Sequence, residues 1–143
     1  MDKDRIVSKL DELDGYLRDI QKIAPATFAE YKKVMVKRTC ERLIQLAVEC
    51  VIDICRLLVT GLRLGLPSEE NDIFEKLCKV GIISRTTASR LKKMRGFRNI
   101  LVHEYGDIND ELVYGIVKKR LPDFHLFKVE ILRALRSTRK AQK

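Results

Sequence analysis

No stretch of this sequence is apolar for long enough to span a bilayer. Its start, MDKDRIVSKL, alternates charges with isolated apolar residues where a secretion signal would carry a continuous apolar segment. Both absences lead to the expectation of a cytoplasmic protein. Cysteine is present but never closely paired: Cys40, Cys50, Cys55 and Cys78 fall within apolar, helix-like stretches, and none has the two-residue spacing of a zinc knuckle or redox dithiol. They read as reduced core side chains. The only two histidines, His103 and His125, are too few and too distant in sequence to suggest a metal cluster, so neither metal nor cofactor is expected. Strand-like alternation, internal repeats and low-complexity segments are also missing.

What the chain does carry is positive charge. A formal net charge of +9 favours a polyanionic partner such as RNA, or an acidic protein, because Lys and Arg gain from phosphate neutralisation and counterion release. Part of the excess lies in the basic tail, about residues 136–143, which can equally be a solvated helix end. A length of 143 residues suffices for one domain, spanning 1–143, with a real core.

Apolar spacing predicts helices throughout. Ile6, Leu10, Leu13, Leu17 and Ile20 recur at four and three, forming one stripe of a helix from about Asp2 to Ile23. Pro25 ends that pattern, and Thr27 with Glu30 makes a capping box for a second, long helix running to about Leu62. Tyr31, Val34, Met35, Leu43, Leu46, Ala47, Cys50, Ile54, Leu57 and Leu58 are its expected core positions. Its middle, LIQLAVECVIDIC, is apolar almost all round except for Glu49 and Asp53, which share one face and are either solvated or paired with Arg from a neighbouring helix. A loop over Gly61–Ser68 precedes a short helix stopped by Gly81. Ser84 then caps a helix with Leu91, Met94, Phe97, Leu101 and Tyr105 on one stripe, ending at Gly106. Asp107–Leu121 and the segment from Pro122 complete the set. The expected fold is all-α, an antiparallel helical bundle with a four-helix-bundle-like core and five to six helices.

The segment RNILVHEY, Arg98 to Tyr105, gathers polar groups near one helix end. At about 100° per residue, Arg98 and Tyr105 project within roughly 20° of each other, and Asn99 and His103 within roughly 40° on an adjoining face. Ile100 is expected beside Asn99 and His103 on an outer side, where an apolar residue suggests cover by a second subunit. Arg with His suits phosphodiester cleavage: a neutral His takes a proton from a ribose 2′-hydroxyl or, once charged, protonates the leaving oxygen. The Arg fork can hold two phosphate oxygens and stabilise developing charge. One His cannot be base and acid at once, so two subunits sharing a cleft would complete the chemistry. The spacing alone also allows a His that merely caps a helix end and a Tyr105 that is ordinary core.

The signature Arg, four residues, His, one residue, Tyr, filled by Arg98, His103 and Tyr105, resembles that of the HepT-like toxins among the prokaryotic HEPN domains. The likeness extends through the helix from Thr27, RTCERLIQLAVECVIDIC, FEKLCKVGIIS and LKKMRGFRNILVHEYGDINDELVYGIVKKRL, roughly residues 5 to 135. The resemblance implies a homodimer with both motifs facing one cleft, metal-independent RNA cleavage by Arg98 and His103, and a role for Asn99 in orienting the His or the phosphate. It also implies a minimal nucleotidyltransferase (MNT) antitoxin as partner, which would transfer AMP to Tyr105, placing bulk and negative charge at the RNA cleft. Glu49 and Asp53 resemble acidic positions of the family's second long helix, one of which would pair with a basic group near the cleft. The alternative within the family is a non-catalytic nucleotide- or substrate-binding companion of the nucleotidyltransferase. A third alternative is a structural helical protein with a basic surface.

Overall fold

The structure, a computed structural model, describes residues 1–103 and 108–141, without the side chains of 138–141. Among these residues there are seven helices and no strand: α1 (Lys3–Ile23), α2 (Phe28–Tyr31), α3 (Val34–Gly61), α4 (Glu70–Lys79), α5 (Arg85–His103), α6 (Asp110–Lys119) and α7 (Leu121–Ala141). The all-α bundle read from the periodicity is therefore present. No helix among the described residues is long and apolar enough to cross a membrane.

Helix α1 follows the sequence reading closely. Asp2 caps it by accepting from the Arg5 backbone N–H (3.0 Å), and Ile6, Leu10, Leu13, Leu17 and Ile20 are all buried, chiefly against α3. Helix α3 is the axis of the bundle, touching α1, α2, α4, α5 and α6. Its almost uniformly apolar middle is explained by that position, since Ile44, Ala47, Val48, Cys50, Val51, Ile52, Ile54 and Cys55 face different neighbours and are all buried. Cys40, Cys50 and Cys55 are free and buried, and Cys78 is free and half-buried. Desolvation raises the thiol pKa of all three buried cysteines, that of Cys50 to about 11.

The expected long second helix is two helices. Thr27 caps α2 by accepting from the Glu30 N–H (3.2 Å), but the chain leaves helical geometry at Lys33, whose ψ of 130° is extended. The cause is tertiary. Tyr31 is fully buried between Phe28 and Tyr114, with ring centroids 6.4 and 5.5 Å away. The Tyr114 hydroxyl donates to the Ala26 carbonyl (3.3 Å), and Lys118 donates to that of Pro25 (3.0 Å), so α6 clamps α2 and the turn before it. Two expected core positions are corrected as a result: Val34 and Met35, just past the break, are 65% and 84% exposed. Helix α6 also starts later than its acidic residues suggested, because Asn109, accepting from the Leu112 N–H (3.2 Å), supplies the cap. Asp107 and Gly106 lie outside the described residues.

Candidate functional site

Helix α5 carries the RNILVHEY motif, and its orientation is fixed at its start. Ser84 Oγ accepts from the Thr87 N–H (3.1 Å), while Glu130 of α7 accepts from the Ser84 N–H (3.1 Å). Thr87, Ala88, Leu91, Phe97 and Leu101 form the buried face. The residues between them at helical spacing then line an open polar groove of about 430 Å³, where Arg95, Arg98, Asn99, Val102 and His103 of α5 meet Gln45 and Glu49 of α3 and Glu70 of α4.

Arg98 is the anchored member of this groove. Its side chain is only 15% exposed, and its Nη2 donates to Glu70 Oε1 at 2.6 Å. Its Nε is buried, and among the described residues neither Nε nor Nη1 has an acceptor. The two-oxygen fork expected from sequence is thus partly committed, because one arm of the guanidinium already holds a carboxylate. Glu70 also accepts from Arg95 Nε (3.0 Å) through Oε1 and from Arg56 Nη2 (3.1 Å) through Oε2. Partial burial by itself would raise the Glu70 pKa. The hydrogen bonds from Arg95 and Arg98 and the charges of Arg98 and Arg56 outweigh it, and the carboxyl titrates below its ordinary value.

Asn99 is half-buried and His103 exposed, both at the same groove as Arg98. Glu49 lines it too, accepting from Gln45 Nε2 (3.1 Å). Asp53, one turn on, faces elsewhere, pairing with Lys9 of α1 (3.6 Å) and Arg56 (4.0 Å). Neither acid bonds to Arg98. Tyr105 lies outside the described residues. His125 is exposed on α7, and among the described residues no three His, Cys, Asp or Glu side chains are grouped to hold a metal ion.

Ile100 differs from its expected place. It is half-buried and, with Met94 and Phe97, lines an open, mainly apolar cavity of about 550 Å³ on the far side of α5, bordered by Ile44 and Val48 of α3, Leu112 and Ile116 of α6, and Phe124, with Arg90 and Asp123 at its edge. At Ile100, α5 thus borders an open apolar pocket shared with α6 and α7, instead of the polar side that carries Asn99 and His103. The residue missed in the sequence is Glu70. It stands in the first turn of α4, where an acid is routinely explained by the helix dipole. The one available signal was three arginines, Arg56, Arg95 and Arg98, with fewer acids near them in sequence than they need.

Several known proteins are similar to this chain. The family model described as Ribonuclease HepT-like matches residues 13–131. An mRNA nuclease HepT from Shewanella oneidensis is 34% identical over 91 residues, 64% of this chain and 68% of that protein. A tRNA nuclease HepT from Aphanizomenon flos-aquae is 28% identical over 127 residues, 88% of this chain and 86% of that protein. Among solved structures, a tri-AMPylated Shewanella oneidensis HEPN toxin in complex with MNT antitoxin superposes with a TM-score of 0.81 at 28% identity, over 90% of this chain and 96% of that one.

Proposed function

Because the chain belongs to the family of HepT-like ribonucleases, we propose that it is the toxin of a toxin–antitoxin pair, a metal-independent endoribonuclease that cuts RNA with Arg98 and His103. The observation that carries this reading is the convergence of Arg98, Asn99 and His103 on one open, polar groove. A neutral His103 takes the proton of a ribose 2′-hydroxyl, and the freed oxygen attacks the adjacent phosphorus. The bond to the 5′ oxygen breaks, and that oxygen takes a proton from a charged imidazole. Arg98 neutralises charge building on the non-bridging oxygens. Base and acid are separate groups, so a homodimer whose two copies each bring a His103 to one cleft supplies both, and Asn99 orients the imidazole or the phosphate. Two relatives, named an mRNA nuclease and a tRNA nuclease, support RNA as the substrate class.

Control is assigned to Tyr105. The similar solved structure is an AMPylated toxin bound to an MNT antitoxin, which supports an MNT nucleotidyltransferase partner that AMPylates this tyrosine. Adenylates two residues past His103 would fill the groove with bulk and repel RNA phosphates. The decisive experiment incubates wild type, Arg98→Ala and His103→Ala with total RNA in the presence of a chelator. Wild type should cut, with each variant slower by about 100-fold or more. Wild type cutting no better than the variants would overturn the proposal. Co-expression with the antitoxin should add mass to Tyr105 in multiples of one AMP; an unmodified Tyr105 in a neutralised complex would mean inhibition by binding alone.

A further inference from the structure

Arg98 reaches the groove on a long, flexible stem, so what holds it decides where its charge is presented. That holder is one carboxylate shared by three helices. Glu70 of α4 takes Arg98 and Arg95 of α5 on Oε1 and Arg56 of α3 on Oε2, so both oxygens are engaged. The start of α4 is itself tethered, because Asp72 accepts from the Ser68 N–H (3.0 Å) in the preceding loop. The first turn of a helix is also where an ionised carboxylate is favoured.

The charge balance matters as much as the geometry. A carboxylate paired with Arg98 alone would cancel its charge and repel an approaching phosphate. Here Glu70 is set against three guanidinium groups; Arg56 is shared with Asp53 (4.0 Å), but Arg95 and Arg98 on Oε1 still outnumber the one carboxylate that holds them, so Arg98 is immobilised without its charge being cancelled one for one. Nη2 gives one hydrogen to Glu70 and Nε is buried, so Nη1, which has no acceptor among the described residues, is the less committed terminal nitrogen for an oxyanion in the groove that also holds His103.

We infer that Glu70 is a positioning residue for RNA cleavage, holding Arg98 so that Nη1 faces the reacting phosphate; this rests on the reading of Arg98 and His103 given above. Engagement of both oxygens by Arg56 and Arg95 is what makes Glu70 a fixed post instead of a competitor that RNA must displace. An amide in its place offers one acceptor oxygen and turns its own N–H donors toward a guanidinium, so the arrangement depends on the acid.

The test is a double-mutant cycle on cleavage of a short oligoribonucleotide. Glu70→Gln should lower kcat by about tenfold or more with KM changed less than about threefold, because a misplaced charge is felt mainly in the transition state. Glu70→Asp should recover part of the loss. In an Arg98→Ala background, Glu70→Gln should cost less than about twofold, since the residue through which it acts is gone. An unchanged or increased kcat in Glu70→Gln overturns the inference, as does an equal loss in both backgrounds, which would mark a merely structural role. Should wild type cut no RNA, the enzymatic reading fails on its own. The same cycle then reads the affinity for a fluorescent single-stranded RNA: weakening only when Arg98 is present supports Glu70 as its holder, and equal weakening in both backgrounds overturns it.

Discussion

Helix α5 separates two open spaces of opposite character. On one side Arg95 and Arg98 reach Glu70 across a polar groove that also holds Asn99 and His103; on the other Met94, Phe97 and Ile100 line an apolar cavity with side chains of α3, α6 and α7. Even the charges differ in use. At the polar groove Glu70 gathers three arginines, whereas near the cavity Arg90 forms a simple pair with Asp123 (3.6 Å). One helix is thus a partition wall, with chemistry assigned to one face and cohesion to the other, and residues adjacent in sequence, Phe97 and Arg98, belong to different tasks.

The largest effect expected from breaking this division is at Phe97. It is buried, and Phe97→Ala should cost about 3 kcal/mol or more through lost burial and an enlarged cavity, read as a lower denaturation midpoint. Cleavage per folded molecule should change far less than in Arg98→Ala, which should keep most of its stability because Glu70 retains Arg56 and Arg95. Equal effects of the two variants on stability would erase the distinction between the faces.

Acid should act on the polar side first. The Glu70 carboxyl titrates below its ordinary value of 4.5 when folded, so its stabilising contribution is fully present above that value and is lost as the pH falls through the folded-state pKa. The stability gap between wild type and Glu70→Gln, measured by urea denaturation, should therefore be constant near neutrality and shrink in acid. A gap that widens in acid would reverse the sign of this assignment.

Smaller effects sharpen the comparison. Helix α4, which delivers Glu70, is closed off just past its C-cap by Gly81 with φ of 78°, and the next N–H, that of Ile82, reaches the Leu77 carbonyl (3.0 Å). Gly81→Ala should cost about 1 kcal/mol in thermal melting, for lack of a comfortable left-handed conformation. Gly96, on the cavity side of α5, has open space where a Cβ would stand. Gly96→Ala should stabilise by about 0.5–1 kcal/mol, from helix propensity alone. A loss there would mean that something else occupies the space.

Local periodicity made much of this legible. The stripe Ile6, Leu10, Leu13, Leu17, Ile20 is buried as the sequence requires, and Arg98, Asn99 and His103 share a groove because their spacing on one helix leaves little alternative. The break at Lys32 and Lys33 was hidden because neither residue disfavours a helix; burial of Tyr31 against Tyr114 decides it from 83 positions away in the chain. Ile100 was placed beside Asn99 and His103 for a related reason, since spacing gives the angle of a side chain but not which neighbouring helices border it; it lines the apolar pocket instead. Glu70 sits 28 positions from Arg98, and partners at such separations are set by how helices pack.

The burial of Cys40, Cys50 and Cys55 gives the bundle a built-in clock. Thiols shielded from solvent and held in the protonated form react slowly with alkylating reagents, while half-buried Cys78 is the more accessible of the four. Counting labelled thiols against time therefore reports how often the core opens, with no engineered probe and no dependence on RNA. Loosening of the bundle would speed all three slow labels, whereas a defect confined to the polar groove would leave their rates unchanged.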